Sequence, residues 1–323
     1  MLTFSNPLLR RPALHTLTCL VASSLAFASA AGLASPNGSE GDAIDALWLD
    51  GHAEVSGYRW SGSRYGEARA GEAVAIFVTE PFNTRLNVKA DRSTGADVVT
   101  AMKLNLVRDF QTGLYDYNTM TSVFVDTRDL SPMKSTFSSA EWCGHVFEEI
   151  DVQADRPEVK VQSYFEGESG TTTLEPRPGG LIGDQILVWA RGLHGAPLQP
   201  GESTQLPYVH TSFERRMRHR QAAWLTAEIT RRPQTVQAEI PAGTFEAIAY
   251  DVQLAGRAGG AGLIQIEAAS PHRVLSWSWS SGRQVVDSGE LLGSRRLRYW
   301  ELAREGQEAM RTSIGLSSKV APR

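Results

Sequence analysis

Within a chain of 323 residues, the segment SSAEWCGHVFEEI (138–150) concentrates the side chains best suited to chemistry. Glu141, Cys143 and His145 alternate with Trp142 and Gly144. If the segment is one strand, the first three share a face, with neighbours ~7 Å apart. Three readings follow. His145 could lower the Cys143 thiol pKa and make it a nucleophile, with Glu141 beside them. Cys143 and His145 could be two ligands of a metal site completed from a neighbouring strand. Or Cys143 is a small buried hydrophobe and His145 a hydrogen-bonded edge residue. Thioredoxin-like chemistry is excluded, because Val146 stands where the second cysteine of C-x-x-C belongs.

Two further groups could bind a ligand. FERRMRHRQ (213–221), read as a strand, aligns Arg216, Arg218 and Arg220 on one face. Such a row fits phosphate, sulfate or lipid headgroups, or serves as a charged edge that blocks aggregation. The eight tryptophans, among them Trp142 and the Trp277-Ser278-Trp279 step, could line a concave sheet that takes an apolar or sugar ligand. Equally, they could fill the core of a large β fold. Glu148, Glu149 and Asp151 read as a solvated strand edge rather than a hydrolytic pair. His52, His194, His210, His219 and His272 show no ligand spacing, and the chain has no G-x-S-x-G elbow, P-loop or dinucleotide fingerprint. The sequence therefore reveals no catalytic machinery, and no cofactor is expected.

The elements that would position these groups are strands. From about Leu47, alternating segments such as AEVSGYRW, MKLNLVRDF and VKVQSYFEGES are separated by turn residues. VLSWSWSSGRQVVDSGELL predicts a hairpin with Leu275, Trp277 and Trp279 on one face. One helix is expected near 182–193, where Ile182, Ile186, Leu187, Trp189 and Leu193 keep helical spacing between Pro/Gly-rich flanks. Many short strands and a single helix imply a mostly-β fold, a curved antiparallel sheet or incomplete barrel. It would occupy 45–304, with two related halves at 45–175 and 200–304 as an option, followed by a polar tail at 305–323 that frays.

The N-terminus leads to the expectation of export from the cytoplasm. Arg10 and Arg11, an apolar stretch from Leu14 to Ala28 and the small-x-small step Ala28-Ser29-Ala30 read as a secretory signal peptide over 1–30. Residues 31–44 form a flexible lead-in. No later stretch reaches 18 uninterrupted apolar residues, so no transmembrane segment is expected in the mature chain. Removing Arg10 and Arg11 takes the formal charge from −4 to −6, which argues against nucleic acid as a partner. Cys19 leaves with the leader, so Cys143 is the sole mature cysteine and no intramolecular disulfide can form.

GEAVAIFVTEPF, MKLNLVRDFQTGLYDYNTMTSVF, EWCGH, IPAGTFEAI and LLGSRRLRYWEL, in that order, resemble a family of secreted bacterial β-rich proteins of unknown function, some labelled septum-formation inhibitors. That label belongs to cytosolic α/β nucleotide pyrophosphatases with an N-terminal SPRR-like segment, which this chain lacks. PAGTF and SRRLRYWEL are also similar to periplasmic domains of unknown function, and the resemblance implies a curved sheet like that of lipoprotein-carrier folds. The expectation is a periplasmic or secreted, non-catalytic binding or scaffold module for an apolar or lipid-like ligand. The alternatives are a Cys/His enzyme or metal protein centred on Cys143 and His145, and an assembly partner of another envelope protein.

Overall fold

Alternation of apolar and polar residues writes most of this chain as strands, and the register of each hairpin carries the alternation into the next. The computed structural model describes residues 47–152, 156–256 and 260–318. The signal peptide and the lead-in expected at 1–44 lie outside them. The strands are β1 (Ala53–Arg64), β2 (Glu67–Asn83), β3 (Val88–Lys89), β4 (Val98–Thr112), β5 (Tyr115–Asp126), β6 (Pro132–Glu141), β7 (Gly144–Asp151), β8 (Glu158–Ser163) and β9 (Gly170–Thr173). The second half adds β10 (Leu181–Ile182), β11 (Ser203–Val209), β12 (Trp224–Arg231), β13 (Val236–Ile240), β14 (Gly243–Leu254), β15 (Ala261–Glu267), β16 (Val274–Ser281) and β17 (Gln284–Leu297).

All belong to one 17-stranded sheet. β1 is its hinge line, because it pairs with β2 on one side and β17 on the other. From β2 the sheet runs through β4, β5, β6, β7 and β8 to the edge strand β9. From β17 it runs through β16, β15, β14, β12 and β11 to β10. Every ladder is antiparallel except β10 with β11. The stretches 45–175 and 200–304, offered as possible related halves, contribute to one continuous sheet.

The sheet curls without closing: among the described residues no ladder joins β9 to β10. Side chains bridge the gap instead. Ile150, Val159 and Leu174 from one flank pack on Ile182, Val209 and Ala222 from the other, and the Trp224 indole donates to the Glu175 carbonyl at 2.8 Å.

The concave side is filled. The expected helix appears as α1 (Gln185–Arg191), with Ile186, Leu187 and Val188 buried among sheet residues. Its end is fixed by Arg191, which makes a two-pronged pair with Glu54 of β1 at 2.9 and 2.8 Å. The same guanidinium lies 4.9 Å from the Trp48 ring and 4.3 Å from that of Phe77. Trp60, Trp277 and Trp279 are all within 2% of complete burial.

Three expectations are corrected here. Residues 138–150 are two strands, not one: Glu141 faces Gly144 across β6 and β7, and Trp142-Cys143 is the turn between them. FERRMRHRQ opens as a helix, α2 (Ser212–Met217), because Thr211 caps it by accepting from the Glu214 backbone N–H. The tail, expected as a polar extension, is folded onto the sheet over part of its described length. Residues Glu308–Ile314 form a 3₁₀ helix, and Ile314 and Leu316 pack on Ala53, Val55 and Val78.

Candidate functional site

The cap on α2 decides where its arginines go. Six residues of helix put Arg215 and Arg216 on neighbouring faces, both aimed at the inner side of the β6–β7 hairpin. Arg215 grips Glu148 of β7 with two bonds of 2.7 and 2.5 Å, and the Ser212 hydroxyl donates to the same carboxylate at 2.7 Å. Strand alternation placed Val146, Glu148 and Ile150 inward, so Glu148 is a buried acceptor and not a solvated edge acid. Arg216 bonds Glu141, the inward-facing end of β6, and its guanidinium lies 4.3 Å from the Phe165 ring.

Past the helix the chain turns back through His219 and Arg220. His219 meets Glu168 at 2.5 Å, and the Ser163 hydroxyl donates to Glu168 at 2.6 Å. Burial opposes the charged form of Glu168. The bonds from Ser163 and His219 and the Arg216 charge outweigh it and hold this carboxyl below the usual glutamate range. Glu214 responds the other way: burial pushes its carboxyl up, against the pull of Arg218, Arg220 and Arg215.

Between this turn and the inner faces of β7, β8 and β9 lies a cleft of about 350 Å³, within the range of small-molecule sites, ~300–1,000 Å³. One wall is apolar: Phe137, Val146, Val159, Val161 and Ala222. The other presents Arg215, Arg216, Arg220 and His219, with Glu148 and Glu168 as the acids of the lining. Three guanidinium groups thus face the cleft, of which Arg216 is also paired with Glu141 and Arg220 lies 3.9 Å from Glu214. Such a cleft can hold an anionic head against guanidinium donors and an apolar body against valine and phenylalanine.

A second polar group is sealed in the core. Arg108 of β4, fully buried, donates through Nε and Nη2 to Asp287 at 3.0 and 2.9 Å, and through Nη2 to Asp184 at 3.2 Å. The Trp60 and Trp277 indoles also donate to Asp287, at 2.6 and 3.0 Å. Burial raises the Asp184 carboxyl despite Arg108.

The residues singled out from the sequence are thus dispersed. Trp277 ties the core, and Trp279 stacks on Tyr208 with centroids 5.9 Å apart. Neither lines an open face, because α1 and the β1 aromatics already occupy it. Trp142, 59% exposed, points outward from the hairpin tip. Cys143 is exposed beside it, which corrects its reading as a buried hydrophobe. His145 is also exposed, on the outward row of β7, whereas Glu141 is buried on the inward row. The three therefore share no face. No group of three or more His, Cys, Asp or Glu gathers to hold a metal among the described residues. Arg216, Arg218 and Arg220 do not form a row. Arg216 and Arg220 line the cleft, whereas Arg218 bonds Glu214 at 2.7 Å and Ser281 at 3.2 Å.

Glu148, Glu168, Ser212, Arg215 and His219 were missed as site residues. The available signal was Thr211-Ser212-Phe213-Glu214, a T-x-x-E capping pattern that marks a helix start. No helix among the described residues is long and apolar enough to cross a membrane.

No protein-family model matches the chain, and no curated protein matches it. Among solved structures it is similar to a beta-barrel-like protein of domain of unknown function DUF1849 from Brucella abortus. The TM-score is 0.46 at 9% identity, over 76% of this chain and 98% of that one.

Proposed function

We propose that this is an exported cell-envelope protein that binds an amphipathic anion, a fatty acid or a singly acylated phosphate, in the cleft between α2 and β7–β9. Export rests on the N-terminal sequence pattern, and kinship with secreted β-rich proteins rests on the motif order. The observation that carries the binding reading is the pairing of an apolar wall with three arginines in one cleft of about 350 Å³. The aromatic concave face first considered for an apolar ligand is closed by α1 and the core tryptophans, so the cleft is where an apolar chain has room.

Displacement of a fluorescent fatty acid from the purified full chain tests this. Dodecanoate and dodecyl phosphate should compete at least about tenfold better than dodecanol, a difference of ~1.4 kcal/mol. Arg220→Ala should weaken the anions and leave dodecanol unchanged, and Val161→Trp should remove binding of all three. Equal competition by dodecanol, or displacement unaffected by Val161→Trp, would refute the reading.

A further inference from the structure

The outer face of the same hairpins carries a separate arrangement. Registers of five adjacent strands bring one outward residue from each into line. Glu72 of β2 lies opposite Asp109 of β4, and Asp109 opposite Asn118 of β5. Asn118 lies opposite Ala140 of β6, and Ala140 opposite His145 of β7. At the ~4.8 Å spacing of neighbouring strands this track is ~19 Å long. Just above it, at the hairpin tips, stand Tyr115 and Trp142, 41% and 59% exposed. Their rings lie 6.0 Å apart, tilted by 47°. The track and Trp142 border an open trough of about 760 Å³, and Tyr115 stands beside Trp142.

The side chains narrow the ligand class. No lysine or arginine lines the trough among the described residues, and His145 is its one basic group against Glu72, Asp109, Asp116 and Glu141. Anions are therefore disfavoured. The Asn118 amide donates to Asp109, which fixes both as a polar step on the sheet. Ala140 leaves the sheet surface low between Asn118 and His145. Exposed aromatic faces above a flat row of carboxylate, amide and imidazole match a molecule with apolar ring faces and a periodic edge of hydroxyls. The strand spacing is also close to the rise per residue of an extended glycan.

We propose that this trough binds an uncharged oligosaccharide. Sugar rings stack on Trp142 and Tyr115, and hydroxyls bond Asp116, Asn118 and His145. The inference is independent of the cleft, because the two sites share no lining residue; Glu141 of the trough bonds Arg216 of the cleft from the other row of β6.

Calorimetric titration of the full chain with maltotetraose, cellotetraose and tetra-N-acetylchitotetraose provides the test. At least one should bind, with affinity reduced tenfold or more by Trp142→Ala and by Asn118→Ala, and unchanged by Val161→Trp, which blocks only the cleft. Trp300→Ala, which removes an exposed indole elsewhere, should change nothing. Modifying the exposed Cys143 thiol with a bulky maleimide should also abolish binding, without any substitution in the fold. Absence of binding for all three glycans at millimolar concentration would overturn the proposal. So would binding that survives Trp142→Ala, or a tetralysine peptide that competes for the trough more strongly than the glycan.

Discussion

Asp287 shows how one residue organises the interior. Three donors converge on a carboxylate with no access to water: two indole N–H groups and the Arg108 guanidinium. Asp184 shares that guanidinium through a single 3.2 Å bond, and burial holds its carboxyl above the usual aspartate range. One cation facing two acids gives the two carboxylates unequal roles. Removing Asp287 leaves a buried cation and two indole donors without their acceptor, so Asp287→Ala should cost ~3–5 kcal/mol, the range for breaking a buried pair. Asp184→Asn removes surplus negative charge and keeps an acceptor for Arg108, and should change stability by less than ~1 kcal/mol at pH 7. The sign with pH follows from the raised pKa. The folded state favours protonated Asp184 more than the unfolded chain does, so this group contributes most in acid, and that contribution fades as pH rises through its unfolded and then its folded pKa. The stability of Asp184→Asn relative to the natural chain should therefore improve from pH 4 to pH 7. Urea denaturation at both values measures it; a loss at pH 7 as large as that of Asp287→Ala would show that the two acids share the Arg108 charge equally.

At the scale of elements, a two-turn segment controls the cleft. α2 has six residues, too few for a helix that holds by propensity alone, so its cap and the Arg215–Glu148 clamp fix it. Thr211→Ala should cost ~1 kcal/mol and weaken binding of anionic amphiphiles several-fold, because Arg216 and His219 lose their placement. Thr211→Ser, which keeps the capping oxygen, should restore both in the same denaturation and displacement measurements. This helix is also where the sequence was hardest to read. Arginines at 216, 218 and 220 keep a period of two, so they look like a strand row, although a capping pattern stands just before them. The turn at Trp142-Cys143 hid for a related reason: alternation continues on both sides of a two-residue loop that lacks an Asn-Gly or Asp-Gly signal. Elements with long uniform alternation, such as β4 and β5, and the helix at 185–191 between Pro/Gly flanks, were legible. Glu148 was not, because its inward direction depends on a register that only the turn sets.

For the molecule as a whole, the question is what holds an unclosed sheet in shape. The two flanks of the sheet meet at β1, which is buried on both sides: Tyr58 and Trp60 face the core, and Ala53 and Val55 face outward. The C-terminal segment covers that outer side. Gly57 and Gly293 stand opposite one another in the β1–β17 register, and both are bare where Ile314 crosses them. A Cβ on Gly57 would approach the Ile314 carbonyl oxygen to 2.3 Å, and one on Gly293 would approach its backbone carbon to 3.0 Å. Arg311 pairs with Glu72 at 3.0 Å, and the Ser317 N–H donates to the same carboxylate at 2.8 Å. The segment thus straps β1, β2 and β17 together at the place where the sheet's two arms diverge. Burying one isoleucine and one leucine is worth ~1.5–3 kcal/mol each at most, less the entropy of ordering the segment. Deleting residues from Gln307 onward should therefore lower stability by ~2–4 kcal/mol. Gly57→Ala, which keeps every residue of the strap but lifts it from β1, should give a comparable loss and make the segment around Arg311 cleavable by trypsin in the native state. Gly66→Ala, at a turn with open space around its Cβ position, is the control for an added methyl group away from the strap. Its tail should stay protected even if the turn's positive φ lowers stability. If Gly57→Ala left the strap protected and stability unchanged, the C-terminal segment would be a passenger on the sheet, and the curvature would have to be held by α1, the Arg191–Glu54 clamp and the side chains packed between the two flanks.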